Sequence, residues 1–252
     1  KSEELAEAAR CAGETELGNY YRDRAAGLRN FEAYQAAAIP YVPPTEPPLE
    51  LPEHVVPLPS VNVPRASIPI TIDGDLSDAA WQTAAKVELN YTSTGEPAPV
   101  KTTALLAYDD KNLYIGFECT EPDMGKIKAA VAKRDGPTFY DDSVEAFIDP
   151  TSKRADYDHL STNTLGTRFD QKVFDATWNG NWTTATKLGV DGWTTEIAIP
   201  FAALSTSAPT PGTAWALNLT RNRTASGEIE YLTWAVPYGS FHSPDRFGSL
   251  RF

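Results

Sequence analysis

"TFYDDSVEAFIDP", residues 138–150, sets two aromatics and two aspartates before a strand-like alternation. Val144, Ala146 and Ile148 fall on one side; Ser143, Glu145, Phe147 and Asp149 fall on the other. That period of two is the mark of a β-strand. One side is wholly apolar and belongs to a core. The other holds a glutamate in mid-strand, and two readings of it stand. Glu145 is either the cross-strand partner of an Arg or Lys or a group that receives a ligand.

Outward from this segment the same texture repeats. "IPITI", "VKTTALLAY", "NLYIGFECT", "RFDQKVF", "WTTEIAIP", "AWALNLTRNR", "EIEYLTWAV" and "FGSLRF" are short runs rich in β-branched and aromatic residues. Turn clusters separate them, with "DDKN" and "DG" as hairpin signals. At least nine strands without a long helical period predict an all-β fold, a two-sheet antiparallel β-sandwich of jelly-roll-like kind, over residues 67–252.

The residues before it differ. Residues 1–39 are rich in Ala, Glu and Arg, and Leu17, Tyr21, Leu28 and Phe31 recur at helical spacing. They predict a helical segment broken near Gly13, the end of a preceding domain or a pair docked on the sandwich. Residues 40–66 read as a proline-rich extended linker, with nine of the chain's 20 prolines between positions 40 and 64. The alternative is that part of this stretch lies along the next domain, anchored by Val55, Val56 and Leu58.

Composition narrows the partners. A net charge of −12 argues against nucleic acid and anionic membranes, which require a basic surface. No run is long and apolar enough to span a bilayer. Cys11 and Cys119 are the two cysteines and indicate no bridge.

With the strands placed, "ITIDGDLSDAAW", "LLAYDDKNLYIGFE", "DDSVEAFIDP", "YDHLSTNTLGTRFDQ", "GWTTEIAIPFAAL", "AWALNLTRNR" and "DRFGSLRF" follow one another in an order that resembles the family 9 carbohydrate-binding modules, from about Ile68 to Phe252. The resemblance implies a β-sandwich related to DOMON domains that binds poly- or oligosaccharide without catalysis. It also implies an attached glycan-active enzyme in the same polypeptide, a secreted or cell-envelope location, and calcium. By matching motif positions it implies that Phe139, beside Tyr140 and just before the "DSVE" motif, contacts the ligand together with Glu145 and Phe241. Phe139 and Phe241 stand where that pattern has Trp, Ser161 where it has a basic residue, and Tyr238 where it has an amide.

The residues themselves extend the list. Trp215, Leu217 and Leu219 alternate inward, which turns Asn218, Thr220 and Asn222 to the outer face; Asn163 is similarly placed in "LSTN". Amides offer donor and acceptor together, as sugar hydroxyls require. Trp182 is expected in the core, and Trp178 either there or as a loop platform. Asp73, Asp75 and Asp78 either shape a turn that delivers Trp81 to the core or gather oxygens for a hard cation such as calcium. Asp141, Asp142 and Asp149 are a second such set.

Three competing functions stand beside sugar binding. A glycosidase would use Asp141 or Asp142 with Glu145 as facing carboxyls. A haem protein would draw on Met124 with His54, His159 or His242, whose spacing supports no pocket. A bracing domain would pack on a catalytic domain without binding sugar.

Overall fold

The computed structural model describes residues 55–252. The expected helical segment at residues 1–39 lies outside the described residues. Thirteen strands among those described form two sheets. The eight-stranded sheet contains β1 (Ser60–Asn62), β3 (Tyr91–Thr92), β6 (Ser143–Asp149), β7 (Asp158–Asn163), β8 (Arg168–Lys172), β11 (Ala214–Arg223), β12 (Glu230–Thr233) and β13 (Gly248–Arg251). The five-stranded sheet contains β2 (Ala85–Glu88), β4 (Thr102–Tyr108), β5 (Asn112–Thr120), β9 (Thr183–Leu188) and β10 (Gly192–Pro200).

The first sheet runs β1-β13-β11-β6-β7-β8, with β12 joining β11 beside Thr220–Arg223 and carrying β3. The second runs β2-β4-β5-β10-β9. Every pairing is antiparallel except β1 with β13. The core lies between the sheets. Val144, Ala146, Ile148, Leu160, Trp215, Leu217 and Leu219 enter it from one side, and Leu106, Ile115, Phe117, Trp193 and Ile197 from the other. The inward alternation expected of β6 and β11 is the one observed.

The proline-rich stretch, expected as a linker through residue 66, joins the sandwich earlier. Ser60–Asn62 pairs with β13, and Val63 is a core residue. The Val56 N–H donates to the Tyr238 hydroxyl at 2.6 Å and its carbonyl accepts from Arg246 Nη2 at 2.9 Å. The boundary therefore moves from residue 67 to before β1. The short "SVN" strand carries too few residues to stand out among prolines.

"IPITI" is not a strand. Its Ile70 and Ile72 pack with Trp81, Leu105, Ala107, Tyr114 and Ala198 on the outside of the five-stranded sheet. The first acidic motif holds this covering in place. Glu196, buried on β10, accepts the Asp73 and Gly74 N–H groups at 2.8 and 2.7 Å and the Trp81 indole N–H at 2.8 Å. Gly74 has φ +88°, and a Cβ there would meet the Thr186 carbonyl carbon at 2.7 Å, so only glycine fits this turn.

At one end of the sandwich two arginines share a carboxyl group. Arg221 Nη2 donates to Glu121 Oε2 at 2.9 Å and Arg223 Nε to the same oxygen at 2.6 Å, with Arg221 and Glu121 wholly buried. Burial pushes the Glu121 pKa up, but hydrogen bonds from Arg223 and the Asp123 N–H and both guanidinium charges outweigh it and hold it below the ordinary value. Removal of Glu121 would leave the buried Arg221 guanidinium without an acidic partner.

Asp158 is the opposite case. It is buried at the start of β7 with Lys172 Nζ 3.7 Å away, and burial, supported by Asp149 and Asp156, raises its pKa to about 6 against the pull of Lys172. A folded-state pKa above the unfolded value favours folding with the proton bound, so stability falls as pH rises through about 6. Asp158→Asn is expected to raise the thermal midpoint at about pH 7.5 by roughly 2–4 °C or more. Calorimetric scans should show the gain vanish below about pH 3, under the unfolded-state pKa, where both states are protonated.

Candidate functional site

The outer face of the eight-stranded sheet is built by register. Glu145 opposes Thr220 on β11 and Ser161 on β7; Phe147 opposes Asn218 and His159; Ser143 opposes Asn222 and Asn163. On β8, Phe169 opposes Ser161 and Gln171 opposes His159. Directly opposed residues share a face, so these side chains form one outward array.

An aromatic series crosses it. Phe139 meets Tyr140 at 4.9 Å and Phe169 at 5.3 Å; Phe169 meets His159 at 5.7 Å; His159 stacks on Phe147 at 4.1 Å. Phe147 meets Phe241 at 6.1 Å, and Phe241 meets Tyr231 at 5.8 Å. Phe139 thus belongs to the β8 side and Phe241 to the β12 side, with Glu145 on the strand between. The Phe139 turn is tied down where the basic residue was expected, because Thr138 Oγ1 donates to Ser161 Oγ at 2.8 Å. Tyr238, at the expected amide position, receives the Val56 N–H instead.

Glu145 is only 3 % exposed and its partner is neither Arg nor Lys. Asn222 Nδ2 donates to its Oε1 at 2.5 Å and to Ser143 Oγ at 3.1 Å. His159 Nε2 is hydrogen-bonded to its Oε2. Gln171 Nε2 donates to His159 Nδ1 at 3.0 Å. Beside Glu145, the buried Thr220 hydroxyl has no hydrogen-bond partner among the described residues.

Of the residues expected at the site, Phe139, Tyr140, Glu145, Asn222 and Phe241 gather here. Asn218 and Asn163 share the face but are occupied. Asn218 Nδ2 donates to the Ala235 carbonyl at 2.9 Å while its Oδ1 accepts from Thr233 Oγ1 and the Ala235 N–H, both at 3.0 Å. Asn163 donates to the Val131 carbonyl and Asp141 and accepts the Leu165 and Thr167 N–H groups. Both fasten loops, and both leave the set of proposed ligand contacts. Gln171, Phe147 and Phe169 join the face without a sequence expectation of a site role, His159 was expected only as a haem-ligand candidate, and Thr220 only as the outward neighbour of Asn218 and Asn222. Alternation marks Phe147 and Thr220 as outward, but only strand register adds the residues of β7 and β8.

The carboxyl groups of both acidic sets accept hydrogen bonds within the protein. Asp73 Oδ1 accepts the Asp75 N–H, Asp75 Oδ1 the Ser77 N–H, and Asp78 Oδ2 the Thr71 N–H. Asp141 accepts from the Val131 N–H and Asn163. Asp142 accepts from the Lys128 N–H, the Thr224 N–H and the Thr224 hydroxyl. Asp149 caps Thr151 and Arg154. Among the described residues no group of three or more His, Cys, Asp or Glu side chains could hold a metal ion. Trp182 is buried, its indole N–H on Asp170 at 2.8 Å, and Trp178 lies against Gly180. Cys119 is a buried free thiol whose pKa burial pushes up to about 12.

Comparison with known proteins assigns the class. Residues 72–252 match the family model described as carbohydrate family 9 binding domain-like, and the chain belongs to that family. It is 26 % identical over 184 residues to endo-1,4-beta-xylanase A of Thermoanaerobacterium saccharolyticum, 71 % of this chain but 15 % of that protein. The same identity over the same length relates it to exoglucanase XynX of Acetivibrio thermocellus, of which it covers 16 %. The chain therefore spans about one-sixth of these relatives or less. A family 9 carbohydrate-binding module of Caldicellulosiruptor kristjanssonii shares the fold in complex with glucose (TM-score 0.61, 22 % identity, 76 % of this chain and 95 % of that one). Its complex with cellotriose also shares it (TM-score 0.59, 24 % identity, 76 % and 92 %).

Asn218→Ala and Asn163→Ala are each expected to cost about 1–3 kcal/mol, because buried backbone groups lose their partners. Urea unfolding of the variants measures this directly.

Proposed function

We propose that this chain is a non-catalytic carbohydrate-binding module whose ligand lies on the outer face of the eight-stranded sheet. The observation that carries the reading is the hydrogen bond between Glu145 and Asn222, brought from strands 77 residues apart to a place between the aromatic groups of Phe139 and Phe241. Sugars need two kinds of surface. Rings cover their C–H faces, and a carboxyl group beside an amide takes adjacent hydroxyls. Tyr140 completes the aromatic side.

Family membership supports the reading, and the glucose and cellotriose complexes of the structural relatives suggest neutral glucans as first ligands. Two aromatic contacts and three or four hydrogen bonds of about 1 kcal/mol each total roughly 5 kcal/mol before association costs. That corresponds to weak binding, about high micromolar to millimolar. Such a module works by tethering: it raises the concentration of an attached enzyme at its substrate. The xylanase and exoglucanase relatives, much longer than this segment, support attachment to a secreted glycan-active enzyme.

Isothermal titration with glucose, cellotriose and xylo-oligosaccharides tests the function. Binding is expected, with Phe241→Ala weakening it about fivefold and Glu145→Gln at least as much. The thermal midpoint of each variant provides the fold control. Silence with neutral, acidic and amino sugars alike would assign the chain to bracing instead.

A further inference from the structure

Four strands contribute to one hydrogen-bonded row on the outer face: Gln171 on β8, His159 on β7, Glu145 on β6 and Asn222 on β11. The direction of each bond follows from its donors. An amide nitrogen can only donate, so Gln171 Nε2, 3.0 Å from His159 Nδ1, makes Nδ1 the acceptor. The imidazole proton then sits on Nε2, where it faces Glu145 Oε2. Asn222 holds the other carboxyl oxygen.

The imidazole is itself fixed. It stacks on Phe147 at 4.1 Å with an interplanar angle of 7°, has the His242 ring edge-on at 5.2 Å, and is 1 % exposed. A lysine could not replace it, because a flexible ammonium has neither the planar stack nor the second ring nitrogen that Gln171 engages. Phe147 also touches Phe241 at 6.1 Å. One ring thus braces both the aromatic and the polar halves of the candidate site.

We propose that His159 is the positioning residue of the ligand face: it fixes the Glu145 carboxyl group so that this group and the Asn222 amide meet adjacent hydroxyls of a neutral saccharide in one orientation. The inference rests on the ligand-face reading above. Its physical basis is preorganisation. A glutamate loses rotamer freedom on engaging a ligand, and a carboxyl group already locked by a neighbour has less to lose. His159 acts through Glu145 and touches no ligand.

Two measurements on the whole chain test it. Nitrogen-detected NMR of the ligand-free protein reads the ring tautomer, with His159→Phe assigning the signals. A proton on Nε2 and a bare Nδ1 are expected; a proton on Nδ1 alone overturns the assignment. Titration with glucose and cellotriose then compares two variants. His159→Gln keeps an N–H at similar reach, whereas His159→Phe keeps the stack and loses the donor. His159→Phe is expected to weaken binding about tenfold or more and His159→Gln by no more than about threefold. Equal losses in both variants, or none in either, overturn the positioning role while the ligand-face reading stands. Failure of the unsubstituted chain to bind any saccharide overturns both.

Discussion

Strand β6 is held on all four sides. Its edges are paired to β7 and β11, one face lies in the sandwich core, and the other lies under the aromatic array. A slip of one residue would drive Glu145 and Phe147 between the sheets and turn Val144, Ala146 and Ile148 out. The cost of burying an unpartnered carboxyl group in that apolar layer excludes the slipped register. Because the register is fixed, Asn222 and His159, distant in the chain, arrive within hydrogen-bonding reach of the same carboxyl group.

The acidity of the chain has a structural use. Asp109 accepts the Lys111 and Asn112 N–H groups in the β4–β5 turn, Asp149 organises the turn after β6, and Asp142 ties the distant Lys128 and Thr224 to the start of β6. Glu196 clamps the covering segment to the five-stranded sheet. Carboxyl groups that accept backbone N–H bonds are directed at turns, which they hold closed. A short β-rich sequence with many non-repetitive loops needs such fasteners, since loop backbone has few partners of its own.

Much of the fold was legible from period-two patterns, because each strand must hide one face. The alternations in β6 and β11 placed their inward residues correctly. "IPITI" shows the limit of the same signal: Ile70 and Ile72 alternate because they cover Trp81, and no strand pairs with them. A period reports a buried face, whereas a strand also needs a neighbour. For the candidate site, the family resemblance pointed to Glu145, Phe139 and Phe241 and the alternation of β11 to Asn222, whereas an amide that ties down a loop, as Asn163 and Asn218 do, has the same composition and phase as a ligand contact. His159 and Gln171 depend on which strands adjoin β6, and that is set by long-range pairing.

The central claim is that the outer face of the eight-stranded sheet, around Glu145, receives saccharide. Mapping of NMR chemical-shift changes on titration with cellotriose tests it most directly. The account predicts that perturbed signals concentrate at Glu145, His159, Asn222 and the loop of Phe241. Perturbation confined to the five-stranded sheet or to the loops around Trp178 would contradict it.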